Sequence, residues 1–260
     1  MATYQQFYEN RVDGNYLADS PSLPLQSHYY YRDLKCFIDE NGLAGKRCLE
    51  IGSGIGRFQD MVDDYWGANV SASLGVNYHK NYVVHGGNGY PLPSESFDAI
   101  WTLFAYEHFP DLQAGMLEIK RLLKPGGLVF FAPAWQCRPW GGQGYAVRPY
   151  GSLRWWERFI KASILWRDSL LWRSLNLFPK RLFWHLLFLF GCRPKSIRFS
   201  RISPNYEVFW GPDSDACNSI DPHDALLWFL GHGFRCLSHR DFLSAFLVRT
   251  GPLICQKEWI

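Results

Sequence analysis

R-C-L-E-I-G-S-G-I-G-R-F, residues 47–58, is the stretch on which the reading of the fold turns. A short apolar run from Arg47 to Ile51 reads as a strand, delivers the acid Glu50, and meets glycines at alternate positions, Gly52, Gly54 and Gly56. Glycine lacks a Cβ and tolerates positive φ, so such a turn brings backbone close to a ligand. The G-x-G-x-G spacing is not the G-x-G-x-x-G of a dinucleotide turn, and no Gly-Lys-Ser/Thr ending follows to cradle phosphate. Taken alone, the stretch also fits a tight turn that binds nothing.

Outward from the turn, Phe58, Met61, Val62 and Tyr65 recur at helical spacing, which predicts a helix ended by Gly67, and residues 69–73 read as a second strand. About fifteen residues then precede Tyr90-Pro91-Leu92-Pro93, room for a very short helix or none. Upstream, residues 1–26 form an arm with Tyr4, Phe7 and Tyr8, and residues 27–40 form a helix that stops at Asn41-Gly42. Downstream comes Y-P-L-P-S-E-S-F-D-A-I-W-T-L-F-A-Y-E-H-F-P-D, residues 90–111, whose segment 97–104 reads as a strand buried on both faces. Residues 111–123 predict a helix with Leu112, Met116, Ile119 and Leu122 on one side; L-K-P-G-G, residues 123–127, breaks it before a fifth strand at 128–131. Asp221-Pro222 can cap and start a last helix, with strands expected at 234–239 and 245–250.

The acidic-x-Gly-x-Gly-x-Gly turn, the Leu-Pro approach to strand four, E-H-F-P-D and K-P-G-G occur in an order that resembles the class I S-adenosylmethionine-dependent methyltransferases of the small-molecule type. The resemblance implies an α/β fold with a doubly wound, mostly parallel seven-stranded sheet whose last two strands close it as an antiparallel pair. It implies S-adenosyl-L-methionine over Gly52, Ser53, Gly54 and Gly56, with Glu50 near its amino-acid end and Phe104 at the end of strand four. Where the family places an acid for the ribose, at the end of strand two, this chain offers Ser73 or Asn77, and Asn88 stands where an acid often flanks the adenine. Tyr29 to Tyr31 are either cofactor contacts or core. Residues 1–133 and 221–260 form the cofactor domain on this reading, and 134–220 an aromatic-rich helical insertion for the acceptor.

Methyl transfer needs the acceptor aligned in a dry site, and needs a base only when the acceptor carries a proton of high pKa. Tyr106, Glu107 and His108 fall at the carboxyl edge of strand four, where open α/β sheets bind ligands. His108 is the candidate base or a brace for the turn; Glu107 is structural or cofactor-linked. Asp213 and Asp215 could bind a metal, orient hydroxyls or form a solvated turn, and no metal is assigned. His79, His85 and His223 read as ordinary surface or core residues.

The 260 residues carry 17% aromatics, 12 tryptophans and a net charge of +3. Residues 151–201 hold eleven Lys/Arg against two Asp/Glu, so a segment of +9 sits on a body of −6. Basic residues set among apolar ones, without a motif for a flipped base, argue against nucleic acid and for a small or lipid-linked acceptor. Seven scattered cysteines without C-x-x-C, and no basic-then-apolar start, fit a cytoplasmic chain with free thiols. Residues 154–168 place Trp155, Trp156, Phe159, Ile160 and Trp166 on one side of a helix; the apolar run 182–192 is too short to span a bilayer. These rings suit a peripheral membrane contact, a lid packed on the cofactor domain, or a homodimer. The missing acid on strand two and the shortened connection keep a second reading in view: a binding or scaffolding protein with weak or no catalysis.

Overall fold

A computed structural model describes residues 4–10, 24–85, 89–211 and 213–259. Among them nine strands run in chain order: β1 (Arg47–Ile51), β2 (Asp64–Asn69), β3 (Asn81–Val84), β4 (Phe97–Leu103), β5 (Leu123–Ala132), β6 (Phe199–Arg201), β7 (Asn218–Ile220), β8 (Phe234–Cys236) and β9 (Leu253–Lys257). The helices are α1 (Tyr4–Asn10), α2 (Tyr31–Glu40), α3 (Leu112–Leu122), α4 (Trp155–Arg167), α5 (Leu170–Leu189), α6 (Pro222–Gly231) and α7 (Phe242–Leu247). Seven strands form one sheet in the order β3-β2-β1-β4-β5-β9-β8. β1 to β5 are parallel, and β9 runs antiparallel to β5 and β8, so the expected mostly parallel sheet and its closing pair are both present.

The central strands are apolar on both sides because both faces are covered. Leu49, Ile51, Ile100, Val129 and Phe131 meet α3 and α6 through Met116, Ile119, Leu226 and Phe229. Cys48, Ala99, Trp101, Leu128 and Phe130 meet α2 through Leu34, Phe37 and Ile38. α3 and α6 each start where a carboxylate can satisfy a free N–H: Asp111 accepts from Ala114 and Asp221 from His223, each at 2.9 Å.

Three boundaries differ from expectation. The segment after the glycine turn is a single 3-10 turn, Gln59–Met61, and β2 begins at Asp64 rather than residue 69. Asp63 N–H donates to the Ala44 carbonyl at 2.7 Å and Arg47 pairs with Asp64 at 2.8 Å, which pulls this segment into the sheet early; Phe58, Val62 and Tyr65 reach the core from a turn and a strand. β5 starts at Leu123, with Lys124-Pro125-Gly126-Gly127 absorbed in a register shift against β4. Residues 242–247 form α7, started by Asp241 accepting from Ser244 N–H at 2.9 Å, and the last strand lies at 253–257 instead of 245–250.

The insertion supplies α4, α5 and the β6–β7 ribbon. Its helical rings are not a buried lid: no α4 residue is buried, and Phe159 is 70% exposed. Its return strand is tied to the turn after β4, with Cys217 N–H donating to the Glu107 carbonyl at 2.9 Å and Asn218 Nδ2 to that of Phe109 at 2.7 Å.

α5 docks on α6 through polar groups. The Arg181 guanidinium binds Asp221 at 3.0 and 3.1 Å, and His185 Nδ1 lies 2.9 Å from His223 Nε2. Burial, then the charges of Arg181, His185, Arg198 and Lys180, depress His223 from 6.5 to about 3. Below pH 6.5 the unfolded chain takes up a proton that the folded chain refuses, so the stability held here is present above 6.5 and is lost as pH falls toward 3. His223→Gln is therefore expected to flatten the acid limb of the thermal midpoint against pH; an unchanged limb removes His223 as its source.

Candidate active site

The carboxyl edge of β1, β2 and β4 gathers the candidate residues. Gly52, Gly54 and Gly56 all take positive φ, at 75°, 53° and 74°. A Cβ on Gly52 would overlap that of Ala105, and one on Gly56 would lie 2.7 Å from the Tyr78 ring. These two glycines are required by packing inside the protein. Gly54 differs: nothing lies within 4 Å of where its Cβ would be, so its missing side chain leaves open space at the tip of the turn. Tyr78 lies across the turn's inner side, its hydroxyl 2.7 Å from Ser53 Oγ and 2.9 Å from the Gly54 carbonyl. The Gly67 backbone makes room for the same ring.

Glu50 sits behind the turn rather than on it, buried, with Tyr65 O–H donating to Oε2 at 2.5 Å. Burial pushes its carboxyl up to about 7, against the lowering effect of the bond from Tyr65.

At the end of β2 no side chain of the strand supplies an acid, but α1 brings Glu9 there. Its carboxylate accepts from Ala72 N–H at 2.8 Å, from Ser71 Oγ at 3.1 Å and from Ser73 N–H at 3.5 Å. The bond from Ala72 N–H, foremost, holds Glu9 below its usual range. Ser73 thus lies beside a carboxylate delivered from far away in sequence. Asn77, the other residue expected there, is exposed and closes its own turn through Nδ2 on the Leu74 carbonyl at 3.1 Å. Asn88 falls outside the described residues.

β4 ends in strain. Phe104 has φ 48°, a left-handed conformation that costs a non-glycine residue about 1–3 kcal/mol and tends to mark functional sites. It aims a partly exposed ring at Tyr30, 5.0 Å away, and at Tyr29 and His28, each 6.2 Å away. Of the pair of roles open to Tyr29 and Tyr30, Tyr30 is core and Tyr29 is exposed.

The 3-10 turn Tyr106–His108 follows. Tyr106 faces the core, fully buried, with its hydroxyl donating to the Gly115 carbonyl at 2.9 Å, so the structure withdraws it from the catalytic candidates. Glu107 and His108 face the other way, toward the loop that the insertion returns. His108 Nδ1 lies 3.2 Å from Asp215 Oδ2, and Nε2 lies 3.6 Å from Glu107 Oε1. Tyr8 of α1 donates its O–H to Asp215 Oδ2 at 2.7 Å. Glu107 is fully buried, and among the described residues neither of its oxygens has a hydrogen-bond partner.

Burial pushes Glu107 up to about 7 and also raises Asp213. For His108, burial alone would favour the neutral ring, but Glu107, Asp215 and Asp213 outweigh it and raise the imidazole. A buried imidazole raised by neighbouring carboxylates is the kind of group that general acid-base work uses. Ligand atoms of Glu107, His108 and Asp213 lie within 4.8 Å of one another, close enough to hold a cation, although three such atoms do not complete a coordination shell. His79 and His85 lie apart, His79 on Asp60 at the surface and His85 against the Tyr90 ring.

Sequence reasoning pointed to the glycine turn and His108 as candidates and did not reach their neighbours Glu9, Tyr8 and Tyr78. The arm's Tyr4-Phe7-Tyr8 group was its only local signal, and Glu9 follows it directly.

Residues 49–131 match a family described as a methyltransferase domain. Over residues 49–131 the chain carries a methyltransferase domain. The match runs from β1 through β5 and includes the glycine turn and His108, whereas α4, α5 and the acidic loop lie outside it. The domain is similar to the sterol 24-C-methyltransferase of Pneumocystis carinii, 29% identical over 130 residues, 42% of this chain and 32% of that protein. Similarity extends to the cycloartenol-C-24-methyltransferase of Arabidopsis thaliana, 33% identical over 135 residues, 46% and 38% of the two chains. The ubiquinone biosynthesis O-methyltransferase of Pseudomonas fluorescens is 31% identical over 113 residues, 37% of this chain and 48% of its own. The chain thus spans a third to a half of the length of these relatives.

Proposed function

We propose that this methyltransferase domain moves a methyl group from S-adenosyl-L-methionine to a small or lipid-linked acceptor, with His108 taking the acceptor's proton. The reading is carried by one juxtaposition: an open glycine position at Gly54 and a buried imidazole among carboxylates, on neighbouring strands at one edge of the sheet. The cofactor fits the turn because Gly54 alone of the three glycines has free space, which a side chain would otherwise fill. When bound, it supplies a methyl group on a positively charged sulfur. The chain's residues do the rest. Backbone at 52–56 would hold the amino-acid end, and Glu9 would stand in for the missing strand-two acid and accept from the ribose hydroxyls. Phe104, Tyr29 and His28 would shield the reacting centre from water. Asp215, itself held by Tyr8, would fix the imidazole through Nδ1.

The relatives named for sterol and ubiquinone methylation support an apolar acceptor. Calorimetric titration with S-adenosyl-L-methionine, followed by transfer of labelled methyl into a lipid extract, tests both halves. No heat of binding to the folded chain would overturn the assignment. Binding without transfer favours the second reading, a binding module, which the lost helix after the turn and Tyr78's hold on Ser53 and Gly54 motivate. Glu9→Gln keeps the shape but removes the charge, so cofactor affinity is expected to fall roughly tenfold with little change in thermal midpoint. Equal affinity would take Glu9 out of the ribose site.

A further inference from the structure

α5 is built inside out. Its two buried side chains are Arg181, 2% exposed, and His185, 7% exposed, both held in the polar contact with α6. Trp172, Leu175, Leu182, Phe183, Leu186 and Leu189 follow one another at helical spacing and are all exposed. A helix on a water-soluble surface has the opposite arrangement. α4 extends the face with Trp155, Phe159, Leu165 and Trp166, and α7 adds Phe242 and Leu243 beside α5, where the Phe242 ring lies 4.7 Å from that of His185. The result is a continuous apolar surface far beyond scattered exposed leucines, and such surfaces mark an interaction site.

We infer that this face docks on an anionic lipid bilayer, with α4 and α5 lying in the headgroup layer. Charge decides between a bilayer and a second copy of the chain. Arg154, Arg158, Lys161, Arg167, Arg193 and Lys195 make no ion pair among the described residues, so the surplus positive charge of segment 151–201 is not spent internally. Two copies placed face to face would oppose those charges, whereas an anionic membrane neutralises them and accepts the rings at its boundary. Arg154 over Trp156 and Arg193 over Phe188, at 5.1 and 4.1 Å, are cation–ring pairs suited to that depth. The helices lie on the membrane and do not cross it: among the described residues no helix is long and apolar enough to span one. Pro179 and the adjacent basic pair Lys180-Arg181 interrupt the 20 residues of α5. Where this bears on the acceptor, it rests on the methyl-transfer reading and points to an acceptor with its apolar part in the bilayer; the docking itself does not depend on transfer.

Flotation of the purified full chain with vesicles tests it, without any readout of activity. Vesicles of phosphatidylglycerol and phosphatidylcholine in equal parts are expected to carry the protein at low salt, with binding weakening as salt rises, and vesicles of phosphatidylcholine alone to carry far less. Reversing Arg154→Glu, Arg158→Glu and Arg193→Glu together should lower affinity roughly a hundredfold. Phe159→Ser with Phe183→Ser and Leu186→Ser should abolish flotation, and since all three side chains are exposed, its thermal midpoint should match the parent's. No flotation at low salt, or a stable dimer in sedimentation that the serine variant splits, overturns the proposal. Equal binding to neutral vesicles overturns its anionic half.

Discussion

His108→Ala should lower kcat by about 10²- to 10⁴-fold while leaving the calorimetric Kd for S-adenosyl-L-methionine within about twofold, the signature of a group that works on the acceptor's proton rather than on cofactor binding. The side chain is nearly buried and flanked by Asp215 at 3.2 Å and Glu107 at 3.6 Å, so its loss removes the set's one imidazole. The pH dependence carries a sign. A base acts once it has lost its proton, and the surrounding carboxylates raise His108, so the rising limb of kcat/KM should lie above the ordinary histidine value of 6.5. Asp215→Asn removes one of those charges and should move the limb toward lower pH. A variant with parental turnover, or a limb that Asp215→Asn leaves in place, would retire His108 as the base.

Gly54→Val should cost at least about a hundredfold in cofactor affinity, because its side chain would occupy the open tip of the turn where backbone must approach the ligand. Folding should survive. No atom stands within 4 Å to be displaced, and the φ of 53° costs a non-glycine residue about 1–2 kcal/mol. Gly52→Ala makes the control, since its Cβ would run into Ala105 and the whole β1–β4 contact would have to give. Calorimetry beside thermal melts separates the two: a folded Gly54→Val chain that binds as tightly as the parent shows the cofactor elsewhere.

The frame was legible because parallel strands buried on both faces write themselves as mostly apolar runs, as 97–103 does apart from Asp98 and Thr102, and because Asp111 and Asp221 announce the helices they cap. The β1–β2 connection misled because Phe58, Met61, Val62 and Tyr65 keep helical spacing by coincidence; two short elements, not one helix, bring them to the core. α7 misled in the opposite sense, its short apolar run 242–248 fitting a strand as readily as a helix. At the candidate site, spacing along the chain singled out Gly54 and His108, which belong to local turns. It had no means to find Glu9 beside Ser71 or Asp215 beside His108, partners 62 and 107 residues apart in sequence, because nothing local records which distant segment returns.

The bond from Cys217 N–H to the Glu107 carbonyl joins two pieces of different provenance: Glu107 and His108 lie inside the matched methyltransferase domain, Asp213 and Asp215 outside it. If the proposed proton transfer holds, an exchange of residues 134–220 for the corresponding stretch of a relative would carry Asp213 and Asp215, the partners of His108, along with it. Chimaeras built to alter which molecule is methylated should inherit the donor's pH profile as well.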